Sequence, residues 1–134
     1  MTGPARGLLD TSVFIASESG RALDHAALPA EAALSVVTFA ELHAGVLAAS
    51  DTDVRARRMA TLDSIGDIEL LGIDERVALA WARLRTHLVA LDRRINVNDL
   101  WIAATALAHG LAVITQDADF DPVADIGGLR VTRV

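Results

Sequence analysis

The chain has 134 residues, of which 52% are hydrophobic, and a formal net charge of −6 from 18 acids and 12 bases. This length supports one buried core, so we expect a single domain over residues 1–134. The lack of cysteine excludes disulfide and thiolate chemistry, and the lack of lysine means that every base is arginine. The negative charge argues against nucleic-acid binding by bulk electrostatics, so a polyanionic substrate would need local arginines or bound cations.

No apolar run reaches the roughly 18 residues that a membrane span requires. Residues 1–6 are too short and too polar a segment to begin a signal peptide. Together with the absence of cysteine, these features lead us to expect a cytoplasmic protein that does not cross a membrane.

Short apolar segments alternate with helical segments along the chain, and this pattern predicts a three-layer α/β/α sandwich around a mainly parallel sheet. The predicted strands are residues 7–10, 33–37, 68–73, 111–115 and an edge strand at 129–132. The predicted helices start at Thr11 and Thr38 and then cover residues 54–65, 75–90 and 96–110.

Local signals indicate where three of these helices begin or end. Thr38 and Glu41 match a capping box, with Thr38 as the N-cap. Asp74 is expected to cap the amphipathic helix 75–90, whose apolar positions recur every three or four residues as far as Leu91. The next helix is almost free of charge and is followed by Gly110, which is typical of a left-handed C-terminal cap.

Acidic residues stand at the ends of the predicted strands and the starts of the helices. Asp10 ends the first strand, Glu41 lies at the start of the helix after the second, and Asp117 follows the fourth. The carboxyl ends of parallel strands meet at one edge, so these three should converge. Asp99 begins a helix that follows a loop, so its position is less constrained.

Each acid also has a purely structural interpretation. Asp10 can cap a helix, Glu41 can complete the capping box, Asp99 can complement a helix dipole, and Asp117 can stabilise a turn. As a group they favour a metal site, because clustered carboxylates repel one another unless a cation neutralises them. Oxygen ligands without cysteine suit Mg²⁺ or Mn²⁺ better than Zn²⁺, and such ions activate water for attack on phosphodiesters.

Four segments resemble, in order and spacing, the signature blocks of PIN domains, and most closely those of VapC-type toxins of bacterial toxin–antitoxin pairs. The segments are residues 8–12, 38–42, 98–104 and 115–120. The resemblance covers essentially the whole chain. It implies a Mg²⁺- or Mn²⁺-dependent endoribonuclease with a parallel sheet flanked by helices.

The resemblance also implies roles for individual residues. The acidic quartet would be Asp10, Glu41, Asp99 and Asp117, and Asp119 could share or replace the role of Asp117 in holding the metal. The small hydroxyl residues Thr11, Ser12 and Thr115 match positions near the metal. The implied partners are an RNA substrate, a small antitoxin protein that blocks the site, and a second copy of the chain in a homodimer.

Other residues and functions are less strongly indicated. Arg93 and Arg94 precede the helix that carries Asp99 and are candidate phosphate contacts, although a solvated loop explains them equally well. Arg83 and Arg85 are interpreted as a solvated helix face. Phosphoryl-transfer enzymes and receiver domains also place acids at a sheet edge, but both need a lysine, which this chain lacks. The remaining alternative is a degenerate PIN-like domain that binds RNA or protein without catalysis.

Overall fold

The computed structural model describes residues 3–134. Met1 and Thr2, at the start of the segment in which no signal peptide is predicted, lie outside the described residues. The strands β1 to β5 are Arg6–Leu9, Glu31–Ser35, Glu69–Leu71, Ala112–Thr115 and Val131–Arg133. They form one sheet with the order β3-β2-β1-β4-β5, in which every neighbouring pair is parallel.

Helices connect the strands and cover both faces of the sheet. The helices α1 to α5 are Thr11–Glu18, Val36–Ala48, Thr52–Ser64, Glu75–Ala90 and Val97–His109. Short 3₁₀ turns occur at His25–Ala27, Asp121–Val123 and Ile126–Gly128. Within residues 3–134, no helix combines the length and the apolar character needed to cross a bilayer.

The strands divide their side chains between two cores, as the alternation of a pleated strand requires. In β1, Leu8 belongs to the core beneath α4 and α5, whereas Leu9 belongs to the core beneath α1 and α3. In β4, Val113 and Ile114 are divided in the same way. Both central strands are therefore apolar on both faces, and the predicted three-layer α/β/α arrangement is confirmed.

The helix α5 matches its prediction closely. The side chain of Asn96 caps it by accepting a hydrogen bond from the Asn98 N–H at 2.9 Å. The helix ends at Gly110, whose φ of 65° is the predicted left-handed cap. Ile102 is fully buried, so the helix is fixed against the sheet by packing. Asp74 caps α4 as predicted, and the helix ends at Ala90, so Leu91, the last apolar position of the repeat, is its C-cap and is 49% exposed.

The predicted capping box at the start of α2 is also wrong. The strand β2 ends at Ser35, and α2 already begins at Val36. Ser35 has extended φ and ψ angles, and its hydroxyl accepts a hydrogen bond from the Val37 N–H at 3.0 Å, so Ser35 is the N-cap. Thr38 therefore lies within the helix, and Glu41 lies one turn later on the same face.

Candidate active site

The sheet order creates a crevice at its carboxyl edge between β1 and β4. The chain leaves β1 to form β2 and β3 on one side, and then crosses to β4 and β5 on the other. Ligands in open parallel sheets bind where the strand order reverses in this way. Asp10 immediately follows β1, and Thr115 is the last residue of β4, so both lie at this crevice.

Asp10 is buried and held by several hydrogen-bond donors. Its Oδ2 accepts hydrogen bonds from the hydroxyls of Ser12 at 2.7 Å and Thr115 at 3.1 Å. The Ser12 N–H, which lies 3.3 Å away, makes Asp10 the N-cap of α1. Burial raises the pKa of Asp10, although these donors partly oppose the change. The capping role and a role in the site therefore coexist in one residue.

The two hydroxyls that hold Asp10 also hold the segment after β4. The Ser12 hydroxyl accepts a hydrogen bond from the Gln116 N–H at 3.0 Å. The Thr115 hydroxyl accepts one from the Asp117 N–H at 3.1 Å. These bonds connect α1 to the turn that carries Asp117, and both hydroxyls lie beside Asp10.

Glu41 is oriented by a second pair of hydroxyls. The Thr11 hydroxyl donates to Glu41 Oε1 at 2.7 Å and lies 3.2 Å from the Thr38 hydroxyl oxygen. The Thr11 hydroxyl has a single proton, so it is shared between the shorter contact with the carboxylate and the longer contact with Thr38, whose Oγ1 accepts. Thr38 is fully buried, and its side chain has no other hydrogen-bond partner among residues 3–134.

Thr38 was missed as a site residue because its sequence neighbourhood is also that of a helix cap. Ser35 caps the helix instead, which leaves the Thr38 hydroxyl free to face α1. The spacing of three residues between Thr38 and Glu41 was the usable signal. When both residues lie inside a helix, that spacing places their side chains on one face.

Asp99 lies at the centre of the acidic group. Its pKa is raised from 3.8 to about 7, first by burial and then by the negative charges of four other acids. In decreasing order of effect, these acids are Asp10, Asp119, Glu41 and Asp117. The fold therefore brings all five predicted acids close enough for four of them to act on the fifth.

The donor set fits a hard divalent cation. It consists of carboxylate and hydroxyl oxygens, without thiols, and its uncompensated negative charge is what a cation would neutralise. Within the described part of the chain, no three acidic or histidine side chains already stand in a coordinating arrangement. Binding of an ion would therefore require these carboxylates to move closer to one another.

The predicted arginines and Gln116 differ in what their side chains border or contact. Arg94 lines a groove of about 430 Å³ together with Asp99 and Asp119. Arg93 instead donates a hydrogen bond to the Pro122 carbonyl at 3.4 Å. The Gln116 side chain donates hydrogen bonds to the Val134 and Ala22 carbonyls, and the first of these holds the C-terminal residue beside the site.

Comparison with known proteins gives one consistent family. The PIN domain model matches residues 7–126. Ribonuclease VapC5 of Mycobacterium tuberculosis is 55% identical over 133 residues, which are 99% of this chain and 98% of the relative. Ribonuclease VapC4 of the same organism is 47% identical over 121 residues, which are 90% of this chain and 93% of the relative.

A solved structure gives the same result. The crystal structure of VapBC-5 from Mycobacterium tuberculosis, described as a member of the VapBC family of toxin–antitoxin systems, contains a chain that superposes with a TM-score of 0.91. The two chains are 52% identical, and the match covers 98% of this chain and 100% of that one. The present chain therefore belongs to the PIN-domain family and, within it, to the VapC ribonucleases.

Proposed function

We propose that this protein is a Mg²⁺- or Mn²⁺-dependent endoribonuclease and the toxin of a toxin–antitoxin pair. The observation that carries the proposal is the position of Asp99, whose pKa is raised to about 7 by burial and by four neighbouring carboxylates. Such an arrangement is unfavourable in isolation and becomes favourable with a bound cation. The ribonuclease names of the relatives support RNA as the substrate.

Asp10, Glu41 and Asp99 would hold the ion directly or through water, with Asp117 or Asp119 as further support. When bound, the ion would activate water for attack on the scissile phosphate and stabilise the charge that develops on the phosphate oxygens. The hydroxyls of Ser12 and Thr115 keep Asp10 in one orientation, and Thr11 does the same for Glu41. Rigid support of this kind is what an outer shell contributes to a metal site.

Asp99 has a distinct task in this scheme because its proton must leave before the carboxylate can bind a cation. The packing of α5 then keeps this carboxylate near the other acids as the charge changes. Arg94 borders the same groove and supplies a positive charge for a phosphate of the RNA.

We also propose that an antitoxin and a second copy of the chain bind this protein. The similar solved structure comes from a toxin–antitoxin system. In this chain α2, the helix that carries Glu41, presents apolar side chains to solvent, including Phe39 at 37% and Leu47 at 80% exposure. Apolar side chains exposed on one helix are typical of a surface that a protein partner covers.

The test of catalysis is cleavage of single-stranded RNA in Mn²⁺ by the wild type and by Asp99→Asn. We expect the substitution to reduce the rate at least about 100-fold, since it removes a ligand and a negative charge. Asp63→Asn, on the exposed surface of α3, is the matched control and should cleave like the wild type. Equal activity of Asp99→Asn and the wild type would disprove the assignment.

Titration of Mn²⁺ by calorimetry distinguishes the nuclease from a PIN-like domain that binds RNA or protein without catalysis. The proposed nuclease should bind Mn²⁺ near pH 7.5, and Asp99→Asn should weaken that binding. A chain that binds no Mn²⁺ at this pH but still binds RNA would be the non-catalytic module.

A further inference from the structure

We propose that Arg85 and Arg94 form a binding site for the backbone of single-stranded RNA that leads away from the acidic centre along the α4–α5 connection. This inference rests on the proposed ribonuclease function and deepens it. It gives Arg85 a role in RNA binding, whereas the sequence pattern predicts only that Arg85 lies on a solvated helix face.

Two adjoining grooves define the path. The first, of about 430 Å³, is lined by Arg94, Asp99 and Asp119. The second, of about 450 Å³, is lined by Arg85 and by the arginines of the loop between α4 and α5. Arg94 and Ile95 border both grooves. An extended polymer whose phosphate lies at the acids in the first groove therefore has a direct route into the second.

The second groove is cationic in an otherwise acidic chain. Three arginines line it, Arg85, Arg93 and Arg94, against a single acid, Asp92. Within residues 3–134, none of these arginines forms an ion pair with an acid. Arg93 is partly engaged by the Pro122 carbonyl, which leaves Arg85 and Arg94 as the more available donors.

Arg85 is held in place more firmly than an ordinary surface arginine. Its guanidinium carbon lies 5.9 Å from the ring centroid of Trp81, one helical turn earlier. Trp81 in turn stacks on Trp101 of α5, with ring centroids 5.1 Å apart and an angle of 20° between the planes. The cation–π contact restricts the guanidinium, so less freedom is lost when it binds an anion.

The composition of the groove favours RNA over an acidic peptide. Its lining joins the arginines to Val89, an apolar side chain that is 68% exposed. Proteins that bind single-stranded nucleic acid combine positive charge for the phosphates with apolar or aromatic surface for the bases. The groove is also continuous with the acids at which the phosphodiester would be cleaved, so a strand bound in it can reach the proposed ion.

The experiment measures binding of a fluorescein-labelled single-stranded RNA of mixed sequence by fluorescence anisotropy in Mg²⁺. The Asp99→Asn chain serves as the cleavage-deficient background. Adding Arg85→Gln or Arg94→Gln should weaken binding about 5- to 10-fold. Each should also reduce the slope of log K against log salt by about 0.7 for every phosphate that the variant no longer binds.

Arg83→Gln is the matched control. Arg83 lies on the same helix and carries the same charge, but it faces a different groove with Arg76 and His87. It should change RNA binding less than twofold. Arg85→Lys keeps the charge and should recover part of the affinity, and thermal melting of every variant identifies any that are unfolded.

Three outcomes would overturn the inference. One is unchanged binding in Arg85→Gln, and another is an equal loss in Arg83→Gln, which would indicate only bulk charge. The third is binding of polyglutamate as tight as that of RNA, with the same dependence on Arg85. The proposed function fails separately, since wild-type protein without divalent-dependent cleavage would refute catalysis even if Arg85 proved necessary for RNA binding.

Discussion

The Thr11 hydroxyl donates a 2.7 Å hydrogen bond to the Oε1 of Glu41 and thereby joins the first turn of α1 to α2. Behind it, the buried Thr38 hydroxyl lies 3.2 Å from Thr11. Glu41 is thus held by a residue adjacent to Asp10 in sequence, so the two acids cannot move independently. Any ion held by both acids would therefore depend on these hydroxyls for the orientation of the carboxylates.

Replacing Thr38 by valine tests this dependence. Thr38→Val keeps the shape of the side chain but removes the hydroxyl that Thr11 contacts, so Thr11 and Glu41 should reorient. We expect Mn²⁺ affinity to fall about 10-fold, the lower end of the effects seen for outer-shell partners. Thr38→Ser should restore most of the affinity, as measured by calorimetry. Thr86→Val on the exposed face of α4 is the control, and equal affinity in Thr38→Val and wild type would refute the role.

Replacing Thr115 by valine should affect stability as well as the site. The change removes a donor to the buried Asp10 and an acceptor for the Asp117 N–H. Leaving buried polar groups unpaired costs about 1 to 3 kcal/mol. We expect a loss of that size in the free energy of unfolding, measured with urea at pH 7.5 in EDTA. Thr132→Val on the edge strand β5 should change it by less than about 0.5 kcal/mol.

The stability of the metal-free protein should fall as the pH rises. The folded pKa of Asp99, about 7, lies above its unfolded value of 3.8, so protonation favours the folded state. This contribution is complete below pH 4 and is lost as pH rises through about 7. We expect a loss of about 2 kcal/mol after allowing for solvent screening of a half-buried carboxyl. The raised pKa of Asp10 acts in the same direction.

Urea unfolding in EDTA from pH 4 to pH 8 measures this dependence. Asp99→Asn removes the titrating group and the repulsion, so its stability should vary less with pH and exceed that of the wild type at pH 8. Identical pH profiles for the two proteins would show that the other acids do not act on Asp99.

Binding of Mn²⁺ should release protons. At pH 6.5, below the pKa of about 7, most Asp99 carboxyls are protonated and must ionise before they bind the ion. The affinity should therefore rise between pH 6 and pH 8, and calorimetry in buffers of different ionisation enthalpy should detect about 0.5 to 1 proton released near pH 6.5. Release that is unaffected by Asp99→Asn would assign the proton to another group.

Local signals were sufficient for much of the fold. Gly110 ends α5 with a left-handed cap and Asp74 caps α4, both as predicted, through dihedral angles and hydrogen bonds confined to a few residues. Because the interactions that form a cap involve residues within about one helical turn, the sequence predicts these caps without tertiary information. The alternation of strands and helices similarly predicted the parallel sheet and the meeting of Asp10, Glu41 and Asp117 at its carboxyl edge.

The remaining features depend on contacts between distant parts of the chain. The choice between Ser35 and Thr38 as the cap of α2 follows from competition between hydroxyls, because Thr38 has an alternative partner in Thr11, 27 residues away. The pKa of Asp99 depends on burial and on charges from other elements. Arg85 borders the α4–α5 groove and lies beside Trp81, which stacks on Trp101 of the next helix.

By itself the sequence determined the alternation of strands and helices, the parallel sheet and the candidate acids at its edge, since periodicity and caps are local and the topology of parallel sheets is restricted. Only the tertiary structure decided which hydroxyls orient those acids, how strongly the acids act on Asp99, and which arginines border them. Electrostatic and hydrogen-bond energies depend on distance and burial, and these quantities are fixed only when the helices have packed on the sheet.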